Sequence, residues 1–235
     1  MRALRITLIV LLVLAGLFTG ADRLAVKLVE DRLEDRLAAS QNASGAEVSI
    51  KGFPFLTQVA AKRLDAVDAR LTGLTARSGE QALRVNEFEI QARDISVSGD
   101  FNSAVATSAT GTAHLTYQDL TEAADEGVTV AYAGGTAEGE AKVRVTGKVT
   151  VPLLNQQLER STTSTITVEE GDTLRLRADA IPGANVPGLE DLVRNKIDYT
   201  RQIDGLPAGV SLTSVTADKD GVDLHFTGQD VSVTG

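Results

Sequence analysis

The chain of 235 residues contains no cysteine and only two histidines. The first absence excludes a disulfide scaffold, thiolate metal ligation, a cysteine nucleophile and a lipid-modified N-terminal cysteine, and the second leaves little for an imidazole-based site. Tryptophan is also absent, and all aromatics together make up 4%. The apolar content of 43% therefore rests on Val, Leu, Ala and Ile, the residues of sheets and smooth apolar walls. Positive charge is scarce: 23 Lys and Arg against 32 Asp and Glu leave a net charge of −9, so the electrostatic footprint of a nucleic-acid binder is missing. No G-x-S-x-G, H-E-x-x-H or P-loop pattern occurs. With carboxylates scattered over turns and strand faces, neither catalysis nor a cofactor or metal is expected.

Long apolar runs are absent too, with one exception. Arg2 and Arg5 precede an uncharged run of 16 residues, Ile6 to Ala21. As a helix it would cover ~24 Å against a hydrocarbon core of ~30 Å, which fits either a signal peptide or a tilted anchor in the cytoplasmic membrane. Thr19 and Ala21 have the small side chains a cleavage site requires. The positive flank before the run sends residues 22–235 to the outer side, a single domain in the extracytoplasmic cell envelope, secreted or anchored. Cleavage after Ala21 would remove Arg2 and Arg5 and leave a net charge of −11, too acidic for attraction to an anionic bilayer by bulk charge.

Residues 22–39 have helical periodicity. Val26, Val29, Leu33 and Leu37 form one stripe, while Arg23, Lys27, Glu30 and Glu34 fall on the arc expected to face water. From Val48 onward the period is 2, most cleanly at Val143, Val145, Val149, Val151 and Leu153, so a mainly antiparallel sheet is expected. Between Leu83 and Val97 the apolar parity changes twice, which predicts bulges or breaks and strong curvature. Short helices are expected at Gln118–Asp125 and Leu189–Tyr199. Two helices cannot cover about eight strands at ~4.8 Å spacing, so the apolar face must close as a barrel, pack as a sandwich or curve around the long helix and leave a groove.

Gly52-Phe53-Pro54-Phe55-Leu56-Thr57-Gln58 is the most unusual segment, two of six phenylalanines bracketing a proline. It reads equally as an aromatic plug of the core or as an apolar lip for membrane or ligand. Asp218-Lys219-Asp220-Gly221-Val222-Asp223 spaces carboxylates like a calcium loop but lacks its distal glutamate and helical flanks, and a hairpin turn is the better reading. His114 and His225 lie on the polar parity of their strands.

The N-terminal apolar segment, the charged helix, the Gly-Phe-Pro-Phe-Leu-Thr-Gln heptad, Leu206-Pro207-Ala208-Gly209-Val210, Asp220-Gly221-Val222 and Phe226-Thr227-Gly228 together resemble the actinobacterial LmeA family of phospholipid-binding envelope proteins. The resemblance runs over nearly the whole chain and is most specific in the heptad; residues 100–180 match only in pattern. It implies an α+β fold in which a strongly curved, mainly antiparallel sheet wraps a long N-terminal helix, similar to tubular lipid-binding proteins. It also implies a non-enzymatic binder of phospholipid, linked in mycobacteria to lipid-anchored mannan, with envelope glycan-assembly proteins as partners. The expected lipid contacts are Phe53, Pro54, Phe55 and Leu56 at a groove mouth and Val26, Val29, Leu33 and Leu37 along the helix. The competing reading is a ligand-free structural or partner-binding envelope β protein.

Overall fold

The computed structural model describes residues 2–78, 81–100, 102–134, 141–151, 156–180, 194, 197–203 and 206–234. The apolar run and the amphipathic segment form one helix, α1 (Arg2–Ser40). No proline precedes Pro54 to interrupt it, and Asn42, at φ 50°, closes it as Ala43 N–H returns to the Ala38 carbonyl at 3.0 Å.

Two antiparallel sheets follow. The six-stranded sheet runs β1 (Gly45–Lys51), β2 (Arg63–Ser78), β3 (Gln81–Val97), β4 (Ser103–Thr116), β11 (Gly221–Thr234) and β10 (Val210–Ala217) from edge to edge. The five-stranded sheet runs β5 (Val128–Tyr132), β6 (Ala141–Val151), β7 (Gln156–Glu169), β8 (Thr173–Ala178) and β9 (Tyr199–Gln202). Two short helices lie in the connections, α2 (Phe55–Ala60) and α3 (Tyr117–Glu122). At α3 the sequence supplies its own start signal, a capping box between Thr116 and Asp119. The expected α+β class is the one found, with no closed barrel. Most of the helix expected at 189–199 lies outside the described residues; Arg194 and Ile197 are helical, and Tyr199 opens β9.

The parity changes of β3 occur without an inserted residue. Pairing of β2 with β3 and of β3 with β4 keeps one register throughout. Left-handed residues turn the chain over instead: Gly73 on β2 (φ 61°) stands beside the first change, Asp94 on β3 (φ 51°) marks the second, and Asp230 on β11 (φ 50°) does the same two strands away. Asp94 and Asp230 occupy one row across the sheet. Apolar side chains thus stay on one face while their sequence parity flips. Among the described residues the one true register shift is in β10, between Leu212 and Ser214.

The result is a sheet with one apolar and one polar face. Across the strands, successive rows of the apolar face read Ala46–Leu71–Phe88–Ala113–Leu224–Val215, then Val48–Ala69–Ile90–Gly111–Phe226–Leu212, then Ile50–Val67–Ala92–Ala109–Gly228–Val210. Beyond the left-handed row come Leu64–Ile95–Ala106–Val231 and Val97–Ala104–Val233. The rows between them are polar, as in Glu47–Arg70–Glu89–Thr112–His225. Arg70 pairs there with Glu87 and Glu89, and His114 Nδ1 lies 2.7 Å from Asp223 Oδ1.

Two separate clusters cover the apolar face. At one end Leu115, Leu212, Val222, Leu224 and Phe226 pack with Val128, Val143, Val145 and Ala178 of the five-stranded sheet, with Phe88 and Phe226 edge to face at 6.2 Å. At the other, Val26 of α1, Ile50 of β1 and Phe55 of α2 form a smaller cluster joined by Val29, Leu33, Leu56, Leu64 and Val67.

Candidate lipid-binding site

The heptad of residues 52–58 holds α1 to the end of the six-stranded sheet, and each of its residues has a physical task. Gly52 turns the chain at φ 94°, where an added Cβ would collide with Asp65 and Gln58. The α2 N-cap is Pro54, which has no side-chain acceptor. Asp22 of α1 supplies one: its Oδ1 accepts the Leu56 N–H at 2.8 Å, placing a carboxylate at the start of α2. Asp22 is fully buried, and its Oδ2 has no hydrogen-bond partner. Thr57 Oγ1 donates to the Pro54 carbonyl at 2.8 Å, and the Gln58 amide bridges the Lys51 carbonyl and the Asp65 N–H.

The sequence-expected contact residues come together, but mostly against the protein itself. Val26, Val29, Leu33, Phe55 and Leu56 share the small cluster, Phe55 being 4% exposed. Leu37 and Pro54 are half-buried. Phe53 alone points outward, 54% exposed, with the Arg23 guanidinium 4.9 Å from its ring centroid. The heptad therefore contains both a buried aromatic, Phe55, and an exposed one, Phe53.

Glu30 and Glu34 are not on a solvated arc. Glu34 Oε1 accepts the Val48 N–H at 2.9 Å and Glu30 Oε1 the Ile50 N–H at 2.6 Å. Four helical residues advance ~6 Å and two strand residues ~6.7 Å, so an i, i+4 glutamate pair matches alternate N–H groups of an edge strand. The helix thus lies along β1 and satisfies the donors that would otherwise leave an open edge. Helical periodicity could not reveal this, because a glutamate capping a strand and a glutamate in water occupy the same place in the pattern.

The feature that sequence reading missed lies between the two clusters. Ala69, Ile90, Ala92, Ala109 and Gly111 are on the apolar face, are half-buried, and belong to neither cluster. Four of these five have no side chain beyond Cβ, so they form a shallow apolar floor with Phe88 and Phe226 at one border and Ile95, Ala106 and Val231 at the other. The signal was present in the alternation of small residues from Ala104 to Ala113. Alanine and glycine are weak apolar markers, and the parity flip after Ala106 obscures the run.

The β10–β11 segment is a hairpin turn, as its sequence suggested: Asp218 Oδ1 accepts the N–H groups of Asp220 and Gly221 at 2.8 and 3.0 Å. Those two bonds hold its carboxyl below the usual range. Among the described residues no group of three His, Asp or Glu is placed to hold a metal.

An N-terminal helix with a long apolar stretch is thus clamped to a sheet that leaves one apolar strip half-exposed. The helix is long and apolar enough to cross a membrane, and a signal sequence would satisfy the same criterion. The family model described as LmeA-like phospholipid-binding matches residues 20–227, and the chain belongs to that family. No curated protein and no solved structure matches it.

Proposed function

We propose that the protein is an extracytoplasmic phospholipid binder whose acyl chains lie on the apolar strip of the six-stranded sheet between its two clusters. The carrying observation is the row pattern: on one face five rows are apolar across every paired strand, and part of the second and third, at Ala69, Ile90, Ala92, Ala109 and Gly111, is left half-exposed by both clusters. Each methylene transferred from water to such a surface contributes ~0.8 kcal/mol, so one acyl chain suffices for stable binding.

Phe53, with Pro54 and Leu56 beside it, is the lip at the helix end, and Val26, Val29, Leu33, Leu37 and Phe55 are the wall behind it. Residues 1–21 act as signal peptide or anchor, and residues 22–235 as one lipid-binding domain at the outer face of the cytoplasmic membrane. A carrier of this kind serves envelope lipid or lipoglycan assembly, in company with glycan-assembly proteins. The test is solvent extraction of the purified full chain followed by lipid mass spectrometry. Stoichiometric phospholipid is expected; a chain that carries none and takes none from vesicles would be a structural or partner-binding protein instead.

A further inference from the structure

A groove of about 770 Å³ opens between α1 and β1. Its lining is sorted by charge along its length. At the end nearest the N-terminal apolar helix stand Arg23, Lys27 and Lys51 beside Gly52 and Phe53; further along α1 stand Glu30, Asp31 and Glu34. In a chain of net charge −9, three cations gathered at one end of a groove are a local reversal.

Three observations bear on what that end receives. Arg23 and Lys27 make no ion pair among the described residues, whereas Lys51 is held by Asp68 at 3.4 Å and by Ser49. Asp22, next to Arg23 in the chain, is fully buried and turned to the Leu56 N–H, so it does not neutralise Arg23 at the surface, and Glu30 and Asp31, three and four residues beyond Lys27, line the groove without forming an ion pair with it. Finally, α1 is unbroken from the exposed apolar stretch Ile9–Phe18 into the groove wall, with Leu24 and Leu28 exposed as well. Wherever the apolar stretch enters a bilayer, Arg23, Lys27 and Phe53 are the first groups of the body to reach headgroup level.

We propose that this basic end is a subsite for the phosphate of a phospholipid headgroup, and that the acidic end receives hydrogen-bond donors carried beyond that phosphate. The proposal rests on the lipid-binding reading above and adds a second surface to it, since Ser49 and Lys51 line the groove from the polar side of β1 while the acyl strip lies on the side of Val48 and Ile50. Arg23 and Lys27 present guanidinium and ammonium donors one helical turn apart to the phosphate oxygens. Asp31 and the second oxygens of Glu30 and Glu34 then accept from an ammonium or hydroxyl head. Their first oxygens are committed to β1. A head with donors, such as ethanolamine, is favoured over choline, whose ammonium has none.

The experiment uses the full chain in neutral detergent. Binding of dihexanoyl phosphatidylethanolamine, dihexanoyl phosphatidylcholine, dihexanoylglycerol and inorganic phosphate is titrated by calorimetry. The variants are Arg23→Gln/Lys27→Gln and, as a control on the distant hairpin, Lys219→Gln. The double variant should lose about tenfold or more in affinity for the phosphatidylethanolamine, the scale of one lost charge-assisted contact. It should keep its weaker affinity for dihexanoylglycerol and its melting temperature, with Lys219→Gln unchanged throughout. Wild type should prefer ethanolamine over choline. Unchanged phosphatidylethanolamine affinity in the double variant would overturn the subsite while leaving the lipid-binding reading intact. Phosphate displacing the lipid at equal concentration would make it a free-anion site and overturn the headgroup assignment. A wild-type chain that binds none of the lipids would overturn the lipid-binding reading, and the subsite with it.

Discussion

The two ends of the six-stranded sheet present the same kind of apolar surface and are covered in different ways. At one end the five-stranded sheet closes over it, and residues such as Leu115, Leu212, Val143 and Val145 are almost completely buried. At the other a single helical face and the one-and-a-half turns of α2 cover it, with Val26, Ile50 and Phe55 as the buried centre and half-exposed neighbours around them. A sheet can seal a sheet because both are wide; a helix ~10 Å across shields about two strands and leaves a strip uncovered. The closed end holds most of the buried core, and the narrower cover at the other end leaves exposed the strip on which acyl chains are proposed to lie.

The largest expected effect belongs to the closed end. Leu115→Ala should lower stability by about 2–5 kcal/mol through lost transfer energy and the cavity left behind. Lipid uptake per folded molecule should not change. Thermal unfolding together with uptake from vesicles checks both, and a variant that keeps its melting point but loses uptake would erase the distinction between the ends.

Phe55→Ala should cost about 3 kcal/mol, but locally. Hydrogen exchange should show the Val48 and Ile50 amides losing protection while Val143 and Val145 keep theirs. Coequal loss at both places would mean that the two clusters unfold as one unit. Glu34→Ala is smaller again, about 1–3 kcal/mol, because it leaves the N–H of buried Val48 without an acceptor. Glu34→Gln, which keeps an oxygen there, should recover most of the loss in a melting experiment. A neutral Glu34→Ala would return Glu34 to the solvated arc that its periodicity suggested.

The smallest effects are in the hairpins and depend on pH. Asp218 is held below the usual carboxylate range by backbone N–H groups, and Asp172 by the Thr173 hydroxyl and the Gln202 amide. A depressed folded value means that their contribution is complete above about pH 4 and is lost as pH falls through that lowered value. Tyr117, pushed up to about 12 first by burial and then by Asp218, has the opposite sign: its contribution is complete below about pH 10 and is lost as pH rises toward its folded value. Asp218→Asn should therefore flatten the acid limb of a stability-against-pH curve and leave neutral pH within a few tenths of a kcal/mol.

Much of this was legible in the chain. The apolar stripe Val26–Val29–Leu33 identified the buried side of α1, alternation at Val143 and Val145 identified a core strand, and the heptad stood out because its composition fits no regular element. Three things were hidden, each for a physical reason. Asp94 and Asp230 in left-handed conformation are indistinguishable in sequence from ordinary strand-face aspartates, so the continuity of the apolar face across them could not be read. The pairing of Glu30 and Glu34 with β1 depends on which strand lies at the sheet edge, a property of topology. The split of the heptad into buried Phe55 and exposed Phe53 follows from the anchoring of α2 by Asp22, more than thirty residues away in the chain.

The central claim is that acyl chains lie on the uncovered strip between the clusters. A phospholipid with a photoreactive diazirine in its acyl chain, taken up by the full chain and cross-linked, can be mapped by peptide mass spectrometry. Labels should fall on the β2, β3 and β4 peptides containing Val67, Ala69, Ile90, Ala92 and Ala109, and filling the floor with Ala92→Phe should reduce them without lowering the melting temperature. Labels confined to the N-terminal helix, or spread over the Val143–Val145 strand of the closed core, would contradict it.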